Sequence, residues 1–162
     1  MDKIIIFKSD MVGDLINFSP CLKIIKDNKK HSHITLVCSS YNYQIAKNYR
    51  QIDKFIIFKK HGFLMNILKN FKNLFLIKYD YLFQFDGKRS SYFISYIIRS
   101  RIKSTICFIK HKKILGMNLI VKRPSNLLLN LFYNNFIFCD EKYTSVADNK
   151  KLINYQRNYF NL

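Results

Sequence analysis

A chain of 162 residues has room for one domain with a proper core and is too short for two full α/β domains. Hydrophobic residues at 49% and charged residues at 23% exclude a disordered chain, and Lys, Asn or Asp interrupts every apolar stretch before it could cross a bilayer. The net charge of +18 favours nucleic acid, a phosphorylated glycolipid or an anionic membrane surface, although the abundance of Lys, Asn, Ile, Phe and Tyr also fits AT-rich codon use.

The start, "MDKIIIFKSD", is apolar for too few residues before Lys8 to serve as an export signal, so a cytoplasmic protein is expected. Residues 3–8 are a run of β-branched residues suited to a buried parallel strand. Over 14–26, Leu15, Ile16, Phe18, Leu22 and Ile25 follow helical spacing. A second strand is expected at 33–39 and a second helix at 40–49, with Ser39 or Ser40 as its N-cap. A strand at 54–59, an amphipathic helix at 63–78, a strand at 79–86 and a helix at 90–100 follow. A fifth strand is expected at 104–110. Beyond it the pattern weakens, leaving helices at 125–136 and 145–160. Strands separated by helices imply right-handed crossovers, and so an α/β fold: a Rossmann-like, doubly wound parallel sheet.

Cys21, Cys38, Cys107 and Cys139 are scattered without a CxxC pair, which fits buried, reduced thiols. His31 and His33 lie in a polar turn with no third ligand nearby, so no metal site is expected.

The loop after the first strand, "KSDMVGD", is expected to face the crevice at the carboxyl ends of the strands. It has neither GxGxxG nor a GK[ST] motif, which disfavours a dinucleotide dehydrogenase or a P-loop NTPase. Two readings fit Gly13-Asp14. In one, Gly13 permits a tight turn and Asp14 meets the positive end of a helix. In the other, Asp14 takes a proton from a bound hydroxyl.

The segment "IIIFKSDMVGDLINFSPCLKIIK" resembles the N-terminal signature of the family-nine, heptosyltransferase-like glycosyltransferases. It has an apolar strand, basic Lys8, a Ser9/Asp10 loop, Gly13-Asp14 and Pro20. Further segments in the same order are similar: "ITLVCSSYNYQIAKN", "QIDKFIIFKK", "KYDYLFQFDGKRSS", "IIRSRIKSTICF" and "LFYNNFIFCDEKYTSVADNKKLI". In the last, Thr144 stands where the family has His, with Val146 and Asn149 retained.

The resemblance implies that residues 1–162 form the N-terminal, acceptor-binding domain of a GT-B enzyme, with the donor-binding domain absent. It implies inverting transfer, without metal or cofactor, from a nucleotide sugar such as ADP-heptose to a phosphorylated glycolipid in lipopolysaccharide or surface-glycan synthesis. Asp14 inherits the role of catalytic base; Ser9, Asp10 and Gly13 shape the acceptor loop, and Lys88, Arg89 and Ser91 face the same crevice. Partners expected with it are an anionic membrane on the inner face of the inner membrane and a separate donor-binding half. The basic groups Lys59, Lys60, Arg99, Arg101, Lys103, Lys110, Lys112 and Lys113 are candidates for that membrane contact. The alternatives are a non-catalytic acceptor- or membrane-binding module and a basic nucleic-acid-binding protein. Against the latter, the aromatics fall at core-like spacing and no RNA- or DNA-binding motif appears.

Overall fold

The computed structural model describes residues 1–59, 62–114 and 117–140. In chain order the elements are β1 (Lys3–Phe7), α1 (Val12–Asn28), β2 (His33–Ser39), α2 (Ser40–Ala46), β3 (Lys54–Phe58), α3 (Phe63–Lys69), a π-helical turn (Lys72–Leu76), β4 (Tyr79–Gln84), α4 (Arg89–Ile97), β5 (Ser100–Ile114), β6 (Met117–Arg123), α5 (Asn126–Phe132) and β7 (Asn135–Asp140). The helix expected over 145–160, with Thr144, Val146 and Asn149, lies outside the described residues.

The strands form one sheet in the order β3-β2-β1-β4-β5, with β7 next to β5. All of these neighbours run parallel. The doubly wound sheet read from the sequence is therefore present. From β1 the chain steps outward through β2 and β3, then crosses back to place β4, β5 and β7 on the other side. The strand order thus reverses between β1 and β4, and ligands of such sheets bind at that point.

Side chains along β1 alternate between two layers. Ile4 and Ile6 pack with Leu15, Phe18, Leu22 and Ile25 of α1. Ile5 and Phe7 face Leu74, Tyr92, Ile94 and Leu129, contributed by the π-helical turn, α4 and α5. The period-two pattern of a strand buried on both faces is what makes "KIIIF" apolar throughout.

Four sequence expectations need correction. The helix expected over 63–78 is interrupted: Asn70 donates its side-chain amide to the Asn66 carbonyl, competing with the helical backbone, and the chain resumes as the π-helical turn. The helix expected over 125–136 ends at Phe132, where Tyr133 turns extended and β7 begins. Apolar spacing alone does not separate those two outcomes in an Asn-rich stretch. The expected fifth strand, 104–110, is longer at both ends, because its first half pairs with β4 and its second with β6.

The fourth correction is that β6 runs antiparallel to β5. Ser104 and Thr105 pair with both β4 and β7, while Phe108 and Ile109 pair with both β6 and β7. A strand has two edges, so β6 shares the β4 edge of β5, beyond the carboxyl end of β4. The hairpin therefore extends the sheet on the side where the β1 and β4 loops emerge.

Candidate active site

Two loops leave the central strands at the reversal point: residues 8–11 after β1 and residues 85–88 after β4. They are joined at their bases by a backbone bond, Phe85 N to Phe7 O at 3.0 Å, and Lys8 N ties the first of them to Val37 O of β2 at 3.0 Å. The link above these is a side chain, Asp86, which is fully buried.

Its carboxylate accepts five hydrogen bonds. Oδ2 receives Ser9 Oγ at 2.6 Å, Ser91 Oγ at 2.9 Å and Ser9 N at 3.1 Å. Oδ1 receives Gln84 Nε2 at 3.0 Å and Lys88 N at 3.1 Å. A buried carboxylate is tolerated only when its lone pairs are filled in this way. One side chain thus ties the β1 loop to the end of β4 and the first turn of α4. Lys88 adds a second tie, donating its ammonium to the Ser9 carbonyl.

Lys8 sits beneath the mouth, almost buried, and donates to Asp10 Oδ2 at 2.8 Å and to Phe85 O at 3.2 Å. Asn42, fully buried at the start of α2, donates to the Lys8 carbonyl at 3.2 Å. On the α1 side, the Phe18 ring meets Phe85 at 4.9 Å and fixes the helix against the β4 loop.

The two carboxylates of the β1 loop and α1 differ in environment. Asp14 is exposed in the first turn of α1. Asp10 is partly buried, and its Oδ1 is enclosed without a hydrogen bond from the described residues. Burial pushes the Asp10 carboxyl above its ordinary value, Lys8 pulls it back, and the charges of Asp86 and Asp14 push it up again. Asp14 is therefore close enough to Asp10 for their charges to act on each other.

The structure does not require Gly13 for a tight turn. It lies inside α1, the positive-φ glycine among the described residues is Gly62, and a methyl group built on Gly13 would meet nothing within 4 Å. The surface above its Cα is open. Ser9 and Ser91, expected at the crevice, are buried with both hydroxyls donated to Asp86, so they hold the loops in place behind the mouth. Lys88 and Arg89 are exposed at the start of α4, beside the same loop. Asp53, by contrast, works at the other end of the sheet. It accepts the Ile34 N–H at 2.8 Å and pairs with Lys26 at 3.3 Å.

Sequence reading passed over Asp86, Lys8, Gln84 and Asn42 as site residues. The signal for Asp86 was an acidic residue followed by Gly at the end of an apolar strand; Asn42 left no such trace. Cys21, Cys38 and Cys107 are buried, as expected, and burial pushes the Cys21 and Cys38 thiols up to about 12. No helix among the described residues is long and apolar enough to cross a membrane.

No protein-family profile matches the chain, and no curated protein matches its sequence. Solved structures do match its fold. A glycosyl transferase of family 9 from Veillonella parvula DSM 2008 superposes with a TM-score of 0.70 at 19% identity, over 96% of this chain and 41% of that one. The E. coli heptosyltransferase WaaC, solved with ADP-2-deoxy-2-fluoro heptose, gives 0.64 at 14% identity, over 95% and 48%. The E. coli ADP-heptose lps heptosyltransferase II gives 0.53 at 12%, over 65% and 30%. The chain spans less than half the length of these neighbours. The likeness is one of fold: a Rossmann-like α/β sheet of the kind found in the N-terminal half of GT-B glycosyltransferases.

Two measurements test the site's architecture. Asp86→Asn puts an amide donor among five donors, so chemical denaturation should show a loss of about 3 kcal/mol. For Asp10, the folded value lies above the unfolded one, so its contribution to stability is full in acid and lost as pH rises through the folded value. The stability of the wild type relative to Asp10→Asn should therefore fall as pH rises from about 4 and then level off.

Proposed function

We propose that this chain is the acceptor-binding half of an inverting glycosyltransferase of the heptosyltransferase type. The observation that carries the reading is Asp14, an exposed carboxylate at the point where the strand order reverses, in a fold shared with family-nine glycosyltransferases. The donor is a nucleotide sugar, ADP-heptose or one like it, and the acceptor is a phosphorylated glycolipid of lipopolysaccharide or another surface glycan. The heptosyltransferase neighbours solved with ADP and with an ADP-heptose analogue support that donor class.

In this reading Asp14 removes the proton from the acceptor hydroxyl as its oxygen attacks the anomeric carbon of the donor. The bond to the nucleoside diphosphate breaks on the opposite face, which inverts the centre. No metal takes part. Asp10, held by Lys8 in the same loop, helps to shape the acceptor side of the mouth. Lys88 and Arg89 meet acceptor phosphate or carboxylate groups, for which ammonium and guanidinium donors are suited. The uncapped start of α1 and the open surface over Gly13 let the acceptor approach the backbone closely.

The Asp86 cluster would set the distance between the Asp14 side of the mouth and the Lys88/Arg89 side. Orientation supplies a large part of the rate in a two-substrate transfer. A donor-binding domain is therefore needed to complete the site, and the 162-residue chain by itself should show little turnover. The protein works on the cytoplasmic side of the inner membrane, where both substrates are available. Among the described residues most aromatics pack in the core or against it, among them Phe7, Phe18, Phe83, Tyr92 and Tyr133, and these offer no stacking platform for bases.

The test is nucleoside diphosphate release with phosphorylated core glycolipid and a panel of nucleotide sugars, in an enzyme reconstituted with a donor-binding half. Asp14→Asn should lower kcat by about 10² to 10⁴ and leave glycolipid binding intact; unchanged turnover would sink the catalytic role and leave a binding module. Gly13→Ala separates packing from contact. Because Ala favours a helix, stability should hold or rise by up to ~1 kcal/mol, while transfer falls on the order of tenfold as the methyl group meets the acceptor.

A further inference from the structure

The two faces of the sheet are clothed differently. The outer surface of α1 and α2 is mixed, with exposed Asp14 and Asp27 among its lysines. The helices on the other face carry no acidic residue. Between Asp53 and Asp140 the only acids are Asp80, on β4, and the buried Asp86.

Each helix of that acid-free layer also turns a pair of large apolar side chains to solvent at a spacing of four. The pairs are Leu64 and Leu68 on α3, Phe93 and Ile97 on α4, and Leu127 and Leu131 on α5, and all six are 51–76% exposed. Residues four apart share one side of a helix, so each pair forms an outward stripe. The inward sides of the same helices are accounted for, since Ile67, Ile94 and Leu129 fill the core. α4 and α5 are packed together, with Tyr96 stacked on Phe132 at 4.4 Å and Ser95 bonded to Tyr133 at 2.6 Å, so their stripes belong to one surface.

Cations border these stripes. Lys69 and Lys72 follow Leu68, and Arg89 lies four residues before Phe93 on the same side of α4. Apolar stripes with cationic edges and no acid match the surface of an anionic bilayer, where the side chains enter the headgroup boundary and the ammonium and guanidinium groups meet phosphates. A second copy of the chain fits poorly, because pairing two such faces would bring like charges together.

We propose that the outer surface of α3, α4 and α5 is a docking face for an anionic lipid bilayer. This deepens the membrane part of the function proposed above, and it places the mouth, at the carboxyl ends of the strands, at the edge of the docked layer instead of beneath it. An acceptor anchored in the same bilayer would then enter from the side of Arg89.

The experiment is co-sedimentation of the 162-residue chain with phosphatidylcholine vesicles, with and without about one third phosphatidylglycerol. Binding should require the anionic lipid and weaken as salt rises from 0.1 M to 1 M, where the screening length falls from about 10 to about 3 Å. The double variant Leu68→Glu/Phe93→Glu should lower partitioning roughly tenfold. Ile16→Glu/Tyr41→Glu makes the same charge change at exposed positions on the opposite face, and should lower it less than about twofold. Circular dichroism confirms that both variants are folded. Equal losses in the two variants, undiminished binding by the first, or no binding by the wild type would overturn the proposal. So would a dimer that Leu68→Glu/Phe93→Glu dissolves in the absence of lipid binding. Catalysis is not part of the readout, so failure of the Asp14 test leaves this one standing, and the reverse.

Discussion

A carboxylate removed from water must find donors for its lone pairs, and the sites that supply them become fixed relative to one another. Asp86 imposes that condition at the centre of this fold. Its five donors come from the loop after β1, the last residue of β4, the backbone before α4 and the first turn of α4. Parallel strands leave their carboxyl ends unconnected, so without such a link the two loops at the reversal point could drift apart. The hydroxyls of Ser9 and Ser91 are donated inward to make it, and that is why they are absent from the surface that a ligand would touch.

Around this anchor the charges are graded from inside to outside. Asp86 is fully bonded, Asp10 is held between burial and Lys8, and Asp14 is in water. Three carboxylates, on two adjacent loops and the first turn of α1, thus have three environments, which is how chemically identical groups acquire different roles. Lys8 is the counterweight. Its ammonium is nearly buried, and it joins Asp10 to the Phe85 carbonyl, so the cation serves the frame, as the Lys88 ammonium does at the Ser9 carbonyl, while Arg89 remains at the surface.

The basic composition acquires meaning only when it is placed on the fold. A net charge of +18 by itself is compatible with codon bias, with nucleic acid or with lipid. Half-buried Lys103 shows how little a count reveals. Its ammonium bonds the Ser95 and Tyr96 carbonyls at 3.0 and 2.8 Å, satisfying the end of α4, and burial lowers its pKa. Lys26 and Lys54 are likewise engaged, with Asp53 and with Asn73. The separation of acids from the α3–α4–α5 layer is therefore more informative than the total.

The linear order of apolar runs was enough to establish the alternation of strands and helices, the central place of "KIIIF" and the position of Gly13-Asp14 at the carboxyl end of the first strand. These follow from local periodicity, which the chain carries within a few residues. It was not enough for α3, where two asparagines divert the backbone, or for the end of α5, where helix and strand have similar apolar content. The antiparallel β6 pairs with the second half of β5 on the edge that β4 leaves free, so its place in the sheet depends on where β4 ends. The same holds within the site. The position of Asp14 after the first strand was legible locally and its role as a base was only implied by the family resemblance, whereas the roles of Asp86, Ser9 and Ser91 depend on bringing residues 9, 86 and 91 within hydrogen-bonding distance. Sequence specifies which groups can donate and accept; only the closed sheet decides which of them meet.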